Sequence, residues 1–435
     1  MTNDENGATN KSRACCGVIR AFQAILSVLL SPCVIFLLLR DMIRLRLRKG
    51  LRPTGEVWFS YSQVMWDEVW QRPQEFAYRA GAERPVVYMA PVQVHRWLFT
   101  LKKRWKSVQI HDGERSVIVL SPLVFSGHYK NPFVFALNSM VLAAHGRAWL
   151  ADAETLRAVV NTPFAAQVDE ILFGAPGERD PRVKMMMFDL IDDFAAFDWA
   201  PRSGRAMEKR LLKQADVVIT GTYELLEQVR SQRPDAEFIP CGVDYELFHK
   251  KAEIPSDMEA IHHPCIGYFG SISERIDMVL IARLAREFPA ASVVMAGPIH
   301  LAAGEISRGE NIFYPGLKAH AELPGYAQQF DVGLIPFRIT PATLKLNPVK
   351  TLEYLAAGVP VVSTAIPDVI RFFGEVVRVA DDHDGFVAQV RAALGSDNQA
   401  RREAGFKLAR DASWQTMADR MSALLLGTES DGEKE

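Results

Sequence analysis

The stretch of sequence richest in chemistry is 346–364, LNPVKTLEYLAAGVPVVST. Asn347 is a good N-cap, Pro348 suits the first helical position, where a missing N–H costs nothing, and Gly358 suits the turn that closes a helix. The spacing predicts a helix of about ten residues that begins at Pro348 and stops just before the strand VPVVST. Its N-terminus would present unbonded N–H groups and a partial positive charge, a natural place for a diphosphate. Lys350 lies in that first turn and adds a full charge. Glu353 follows on the same face, where a carboxylate can accept two hydrogen bonds from a vicinal diol such as a ribose. The alternative for these two residues is a surface ion pair worth a few tenths of a kcal/mol.

A second group of polar residues sits earlier. Asp192 and Asp193 follow the apolar run VKMMMFDL, at what would be the carboxyl end of a strand, where they could bind hydroxyls or accept a proton. Capping a helix before FAAF is the competing use. Arg72, just before Pro73 at a helix start, could meet a phosphate or an acceptor, or could be a solvated helix-start residue. His128, in SGHYKNP, reads as a loop hydrogen-bonder. The five cysteines (Cys15, Cys16, Cys33, Cys241, Cys265) are scattered and have no zinc spacing, so neither a disulfide scaffold nor a metal site is expected.

These residues need a scaffold of alternating strands and helices. The chain has 435 residues, 49% of them hydrophobic, and 50 basic residues against 52 acidic ones, a net charge of −2 that gives no field to attract nucleic acid. Short apolar runs recur from Glu56 onward: EVWFSYS, PVVYMAP, SVIVLSP, EILFG, VKMMMFDL and DVVITGT, then CIGYFGS, SVVMAGP, NIFYPG, DVGLIPF, VPVVST and EVVRVA. Several are continuous rather than alternating, as strands buried on both faces of a parallel sheet are. Amphipathic stretches at 206–215 and 276–287 suit crossover helices. A polar, Pro-containing stretch at 250–264 reads as a linker. The expected fold is α/β, with two doubly wound Rossmann-like domains at 54–250 and 265–412 facing a cleft, a last helix at 413–426 and a polar tail at 427–435. Neither half has G-x-G-x-x-G after its first strand, which excludes a dinucleotide dehydrogenase.

The N-terminal 1–53 is different. Residues 21–39, AFQAILSVLLSPCVIFLLL, carry no charge and as a helix would extend about 28 Å, close to bilayer thickness. The following RDMIRLRLRKGLR is strongly basic, so the positive-inside rule places the rest of the chain in the cytoplasm, with the basic strip against anionic headgroups. The expectation is a single-pass or monotopic anchor at the inner membrane; a hydrophobic helix packed on the protein's own surface is the alternative.

The 350–364 segment, K-x-x-E-Y-L-A-A-G-V-P-V-V-S-T, resembles the donor-binding helix and following strand of family 4-type glycosyltransferases (glycosyltransferase group 1) with the GT-B fold. WDEVWQRPQEFAYRA, MFDLIDDFAAF, IPCGVDYELF, IGYFGSISERID and FDVGLIPF match, in order, landmarks of a bacterial subgroup that includes teichuronic-acid and exopolysaccharide glycosyltransferases. The resemblance implies that Glu353 holds the nucleotide ribose. It also implies that Arg275 and Lys350, with Ser271 and Asn347 near them, meet the diphosphate, and that Leu317 lines the base pocket. Arg72 and Asp193 are assigned to the acceptor. One departure stands out: the family's first Glu of an E-x7-E pair, which orients the transferred sugar, falls at Lys345, so either Asn347, Thr343 or a backbone group replaces it or donor specificity differs from that of the common members.

The implied activity is a metal-independent, retaining transfer of a sugar from a nucleoside diphosphate donor to a glycan or lipid-linked acceptor, with no cofactor beyond the donor itself. Arg275 and Lys350, with Asp192 and Asp193, would carry the chemistry. A sugar-nucleotide epimerase on the same fold and a non-catalytic sugar-nucleotide-binding scaffold are the alternatives, and the Lys345 departure favours the scaffold.

Overall fold

The computed structural model describes residues 51–67, 70–94, 108–111, 115–175, 177–197, 200–395 and 398–428. The apolar run 21–39, most of the basic strip after it and the last residues of the polar tail lie outside them. Among the described residues no helix is long and apolar enough to cross a membrane.

The strands, in chain order, are β1 Gly55–Tyr61, β2 Val86–Met89, β3 Val92–Gln93, β4 Val108–His111, β5 Val117–Leu120, β6 Leu123–Val124, β7 Ala153–Val160, β8 Val183–Leu190, β9 Val217–Thr220 and β10 Glu237–Phe238. They continue with β11 Cys265–Phe269, β12 Ser292–Ala296, β13 Ile312–Gly316, β14 Val332–Ile335, β15 Val361–Thr364 and β16 Arg378–Ala380. One sheet has eight strands in the order β10-β9-β8-β7-β1-β2-β5-β4, the other six in the order β13-β12-β11-β14-β15-β16, and β3 pairs with β6. In the six-stranded sheet the pairings are parallel, as in Ile266 opposite Val293 and Gly333 opposite Val361. The eight-stranded sheet has one antiparallel edge, β4 on β5.

Counted from β11, the second sheet has the doubly wound order 3-2-1-4-5-6, and its order reverses between β11 and β14. The crevice outside the carboxyl ends of those two strands is where such sheets place ligands. The first sheet reverses in the same way between β1 and β7. The apolar runs are continuous because these strands are covered on both faces: Cys265 to Phe269 and Ser292 to Ala296 are all buried.

The chain packs as two compact units. Of the described residues, the first contains those from 51 to 190, with 194–218 and 425–428; the second contains 191–193 and those from 219 to 424. The stretch 250–264 is pinned to the second unit. Gln328 donates through its amide to the carbonyls of Phe248 (3.0 Å) and Lys250 (2.7 Å) and accepts from the Ala252 N–H at 2.9 Å, while Met258 is buried in the second core.

One expected strand is a helix. EILF, at 170–173, ends the helix Ala166–Phe173, whose buried face is Ala166, Val168, Asp169, Leu172 and Phe173. A short apolar run has no period of its own, and here the i, i+4 neighbours decide. The strand that flanks β1 is β7, AETLRAVV, whose Glu154 and Arg157 hide its β character in the sequence.

Candidate functional site

The helix expected at Pro348 is present one residue later, at Val349–Ala356, with Pro348 itself at the cap and no side-chain cap bond. The reading of Asn347 as the cap is therefore corrected. Its amide donates at 3.0 Å to Asp368, a buried carboxylate that also accepts from the Tyr223 N–H. Asp368 is the stronger acceptor, so Asn347 turns away from the helix it precedes. Gly358, at φ +74°, closes the helix as expected; a Cβ there would approach Phe406 to 2.8 Å.

The helix tip faces the turn that follows β11. Gly270, at φ +139°, leaves that strand, and a Cβ built on it would lie 2.1 Å from Cε and 3.0 Å from Nζ of Lys350. Only glycine lets the ammonium stem cross this turn. The Tyr268 hydroxyl donates at 3.1 Å to the carbonyl of Ser271, whose own side chain is exposed. The β11 turn and the helix after β14 thus meet at the switch point of the second sheet, with Lys350 between them.

Glu353 lies one turn deeper and is buried. It makes no ion pair with Lys350; its Oε1 is 3.9 Å from Nε2 of His320, on the segment after β13. No sequence signal pointed to His320. Leu317, three residues earlier, is 70% exposed.

Asp192, Asp193, Arg275 and Lys345 form a charged cluster in the same unit. The Lys345 ammonium donates to Asp193 Oδ2 at 2.6 Å and to Gln228 Oε1 at 2.8 Å. Position 345, where the family resemblance led one to expect an acid, thus holds a cation whose partner is an acid from another loop. Thr343 is buried and donates to the Arg338 carbonyl. Burial pushes the Asp192 carboxyl above the usual range, opposed by the charge of Arg275 and reinforced by that of Asp193. Asp193 precedes a three-residue 3₁₀ turn, Phe194–Ala196, but its carboxylate goes to Lys345.

Arg72 belongs to the first unit and is not the solvated helix-start residue the sequence allowed. It is 2% exposed and its guanidinium grips the buried Asp189, Nε donating to Oδ2 at 2.9 Å and Nη2 lying 2.9 Å from Oδ1. His128 is also buried, 3.2 Å from the Asn138 amide, and its burial lowers its pKa to about 4.

A family model described as glycosyl transferases group 1 matches residues 263–396, the segment that contains β11, Lys350 and Glu353. Over residues 263–396 the chain is thus similar to glycosyl transferases group 1. A putative teichuronic acid biosynthesis glycosyltransferase, TuaH of Bacillus subtilis (strain 168), is 26% identical over 227 residues, which span 49% of this chain and 57% of that relative's own length. In fold, the chain is similar to a sucrose-phosphate synthase from Thermosynechococcus elongatus, with a TM-score of 0.66 and 14% identity over 86% of this chain and 98% of the other. It is likewise similar to an α,α-trehalose-phosphate synthase (UDP-forming) from Burkholderia xenovorans, with a TM-score of 0.63 and 14% identity over 86% of this chain and all of the other. The two-sheet α/β architecture is therefore GT-B-like.

Proposed function

We propose that this protein is a glycosyltransferase that moves a sugar from a nucleoside diphosphate donor to a glycan or lipid-linked acceptor during cell-surface polysaccharide synthesis. The observation that carries the donor half is the meeting of the 349–356 helix tip with the Gly270 turn, Lys350 packed between them and Glu353 buried one turn deeper. Breaking the bond between the sugar and the diphosphate leaves positive character on the sugar and negative charge on the phosphate. Arg275, Lys350 and the N–H groups of the helix tip would stabilise that charge, each by about a few kcal/mol. Glu353 would hold the ribose, with His320 beside it. Asp192 and Asp193 are the acceptor-side candidates, and Asp192 keeps its proton to higher pH than an ordinary carboxylate.

Retention of configuration follows from the family resemblance, and the named role of the Bacillus relative supports a cell-surface product. The uncharged run 21–39 and the basic strip after it would tether the chain to the cytoplasmic face of the membrane, where soluble donors meet lipid-linked acceptors.

Incubation of the purified chain with labelled UDP- and GDP-sugars tests the reading. Donor hydrolysis or transfer supports it, isomerised donor indicates an epimerase, and binding without turnover indicates a scaffold. Glu353→Ala removes a charged acceptor of hydrogen bonds and should weaken donor binding by about 10–100-fold, measured by calorimetry. Unchanged affinity would remove Glu353 from the site.

A further inference from the structure

The helix Pro132–Trp149 of the first unit buries Phe135, Leu142, Ala143 and Trp149 on its inner face together with its uncharged polar residues. Its polar side chains point into the protein: Asn138, Ser139 and His145 are all buried, and each has a backbone partner. Asn138 accepts from the Phe125 N–H and donates to the Phe125 carbonyl, both at 2.9 Å; Ser139 donates to the Phe135 carbonyl at 2.8 Å; His145 Nδ1 lies 2.9 Å from the Val141 carbonyl. The opposite face carries Phe133, Leu137, Met140, Val141 and Ala144, with no polar residue before Arg147. Phe133 is 77% exposed and Met140 52%, and they lie seven residues apart, two turns along one stripe. An ordinary surface helix carries charged residues on its outer face, and this one carries none there before Arg147. This outer face needs an apolar neighbour.

The residues at its two ends identify that neighbour. Lys130 is exposed just before the helix, and Arg147 is exposed in its last turn. Asp152, three residues beyond the helix, pairs at 3.6 Å with Arg52, the last cation of the basic strip, and Leu51 beside it is 46% exposed. The strip's Arg40, Arg44, Arg46, Arg48 and Lys49 precede Arg52 directly in the chain. An apolar stripe with cations at both ends is the pattern of a helix that lies in a membrane interface, apolar side chains among the acyl chains and cations at anionic headgroups. We infer that the outer face of the 132–149 helix rests on an anionic lipid surface, a second membrane contact separate from the run 21–39. The inference builds on the membrane attachment proposed above.

The test uses the full chain with Phe133→p-benzoylphenylalanine or Met140→p-benzoylphenylalanine, with Val279, 67% exposed in the second unit, as control position. Each chain is irradiated with vesicles of phosphatidylcholine and phosphatidylglycerol, floated on a gradient and digested for mass spectrometry. Phospholipid adducts at 133 and 140, about tenfold above the control and reduced several-fold when phosphatidylglycerol is omitted, are the expected result. Adducts to 21–39 of the same chain, adducts to a second copy, or yields equal to the control would each overturn it. Flotation separates the two proposals. A chain that floats without lipid adducts refutes only the second contact, whereas one that fails to float refutes the attachment as well.

Discussion

Arg72→Met removes the cation from a pair that solvent does not reach. Asp189 is fully buried, and apart from the two contacts from Arg72 its carboxylate accepts from the Asn161 amide at 2.9 Å. Burial already pushes its pKa above the ordinary carboxylate value, and Arg72 is the chief opposing force. Without the guanidinium, the carboxylate keeps one amide donor against an uncompensated desolvation cost. That is the situation of a buried pair broken from one side, costing about 3–5 kcal/mol. At about 2–4 °C per kcal/mol for a unit of this size, the melting temperature should fall by about 6–20 °C. Linkage sets the sign with pH. The folded pKa of Asp189 exceeds its unfolded value, so the folded chain binds more protons there, and this group's contribution to stability falls as pH rises through the interval between the two values. Arg72→Met lifts the folded value further, so the penalty is largest near neutrality and shrinks in acid. Calorimetry from about pH 8 down to about pH 5 should show the gap from the parent narrowing, and adding Asp189→Asn should restore part of the loss at the upper end. A gap under about 2 °C at every pH, together with a raised KM for acceptor, would refute the structural role of this pair and return Arg72 to ligand binding.

Two other perturbations address the donor side. Gly270→Ala places a methyl 2.1 Å from Lys350 Cε at a φ of +139°, so it should displace that side chain and weaken donor binding about as much as Lys350→Met does; calorimetric titration giving parental affinity would contradict the geometry. Asp193→Asn and Lys345→Met, made singly and together, should show a coupling of roughly 1–2 kcal/mol in unfolding free energy, above an exposed pair because Asp193's side chain is only 10% exposed. Strictly additive losses would mean that the 2.6 Å contact contributes nothing in solution.

The sequence was most legible where local chemistry and tertiary demand coincide. The runs CIGYF and SVVMA are strands because they are apolar throughout and lie in the middle of a parallel sheet, and the 349–356 helix was marked by a proline before it and a glycine after it. The donor-side pairing of Gly270 with Lys350 needed the fold, since 80 residues separate them in the chain. Asn347 misled because cap preference is local, whereas Asp368 reaches it from a different helix. EILF misled because three apolar residues in a row are compatible with either period. His320 and Gln228 were invisible: each has a meaning only through a partner, Glu353 or Lys345, that no spacing connects to it.

Residues 425–428 pack with the first unit, where the Arg157 guanidinium, on β7 beside β1, donates to the Leu425 carbonyl. A unit whose sheet is encoded before residue 239 is therefore completed by residues that follow the whole second sheet in the chain. A nascent chain halted anywhere in 263–396 presents β7 with Arg157 held by Glu56 but lacking its carbonyl partner, and the first sheet reaches its final form only once residues 425–428 have been made.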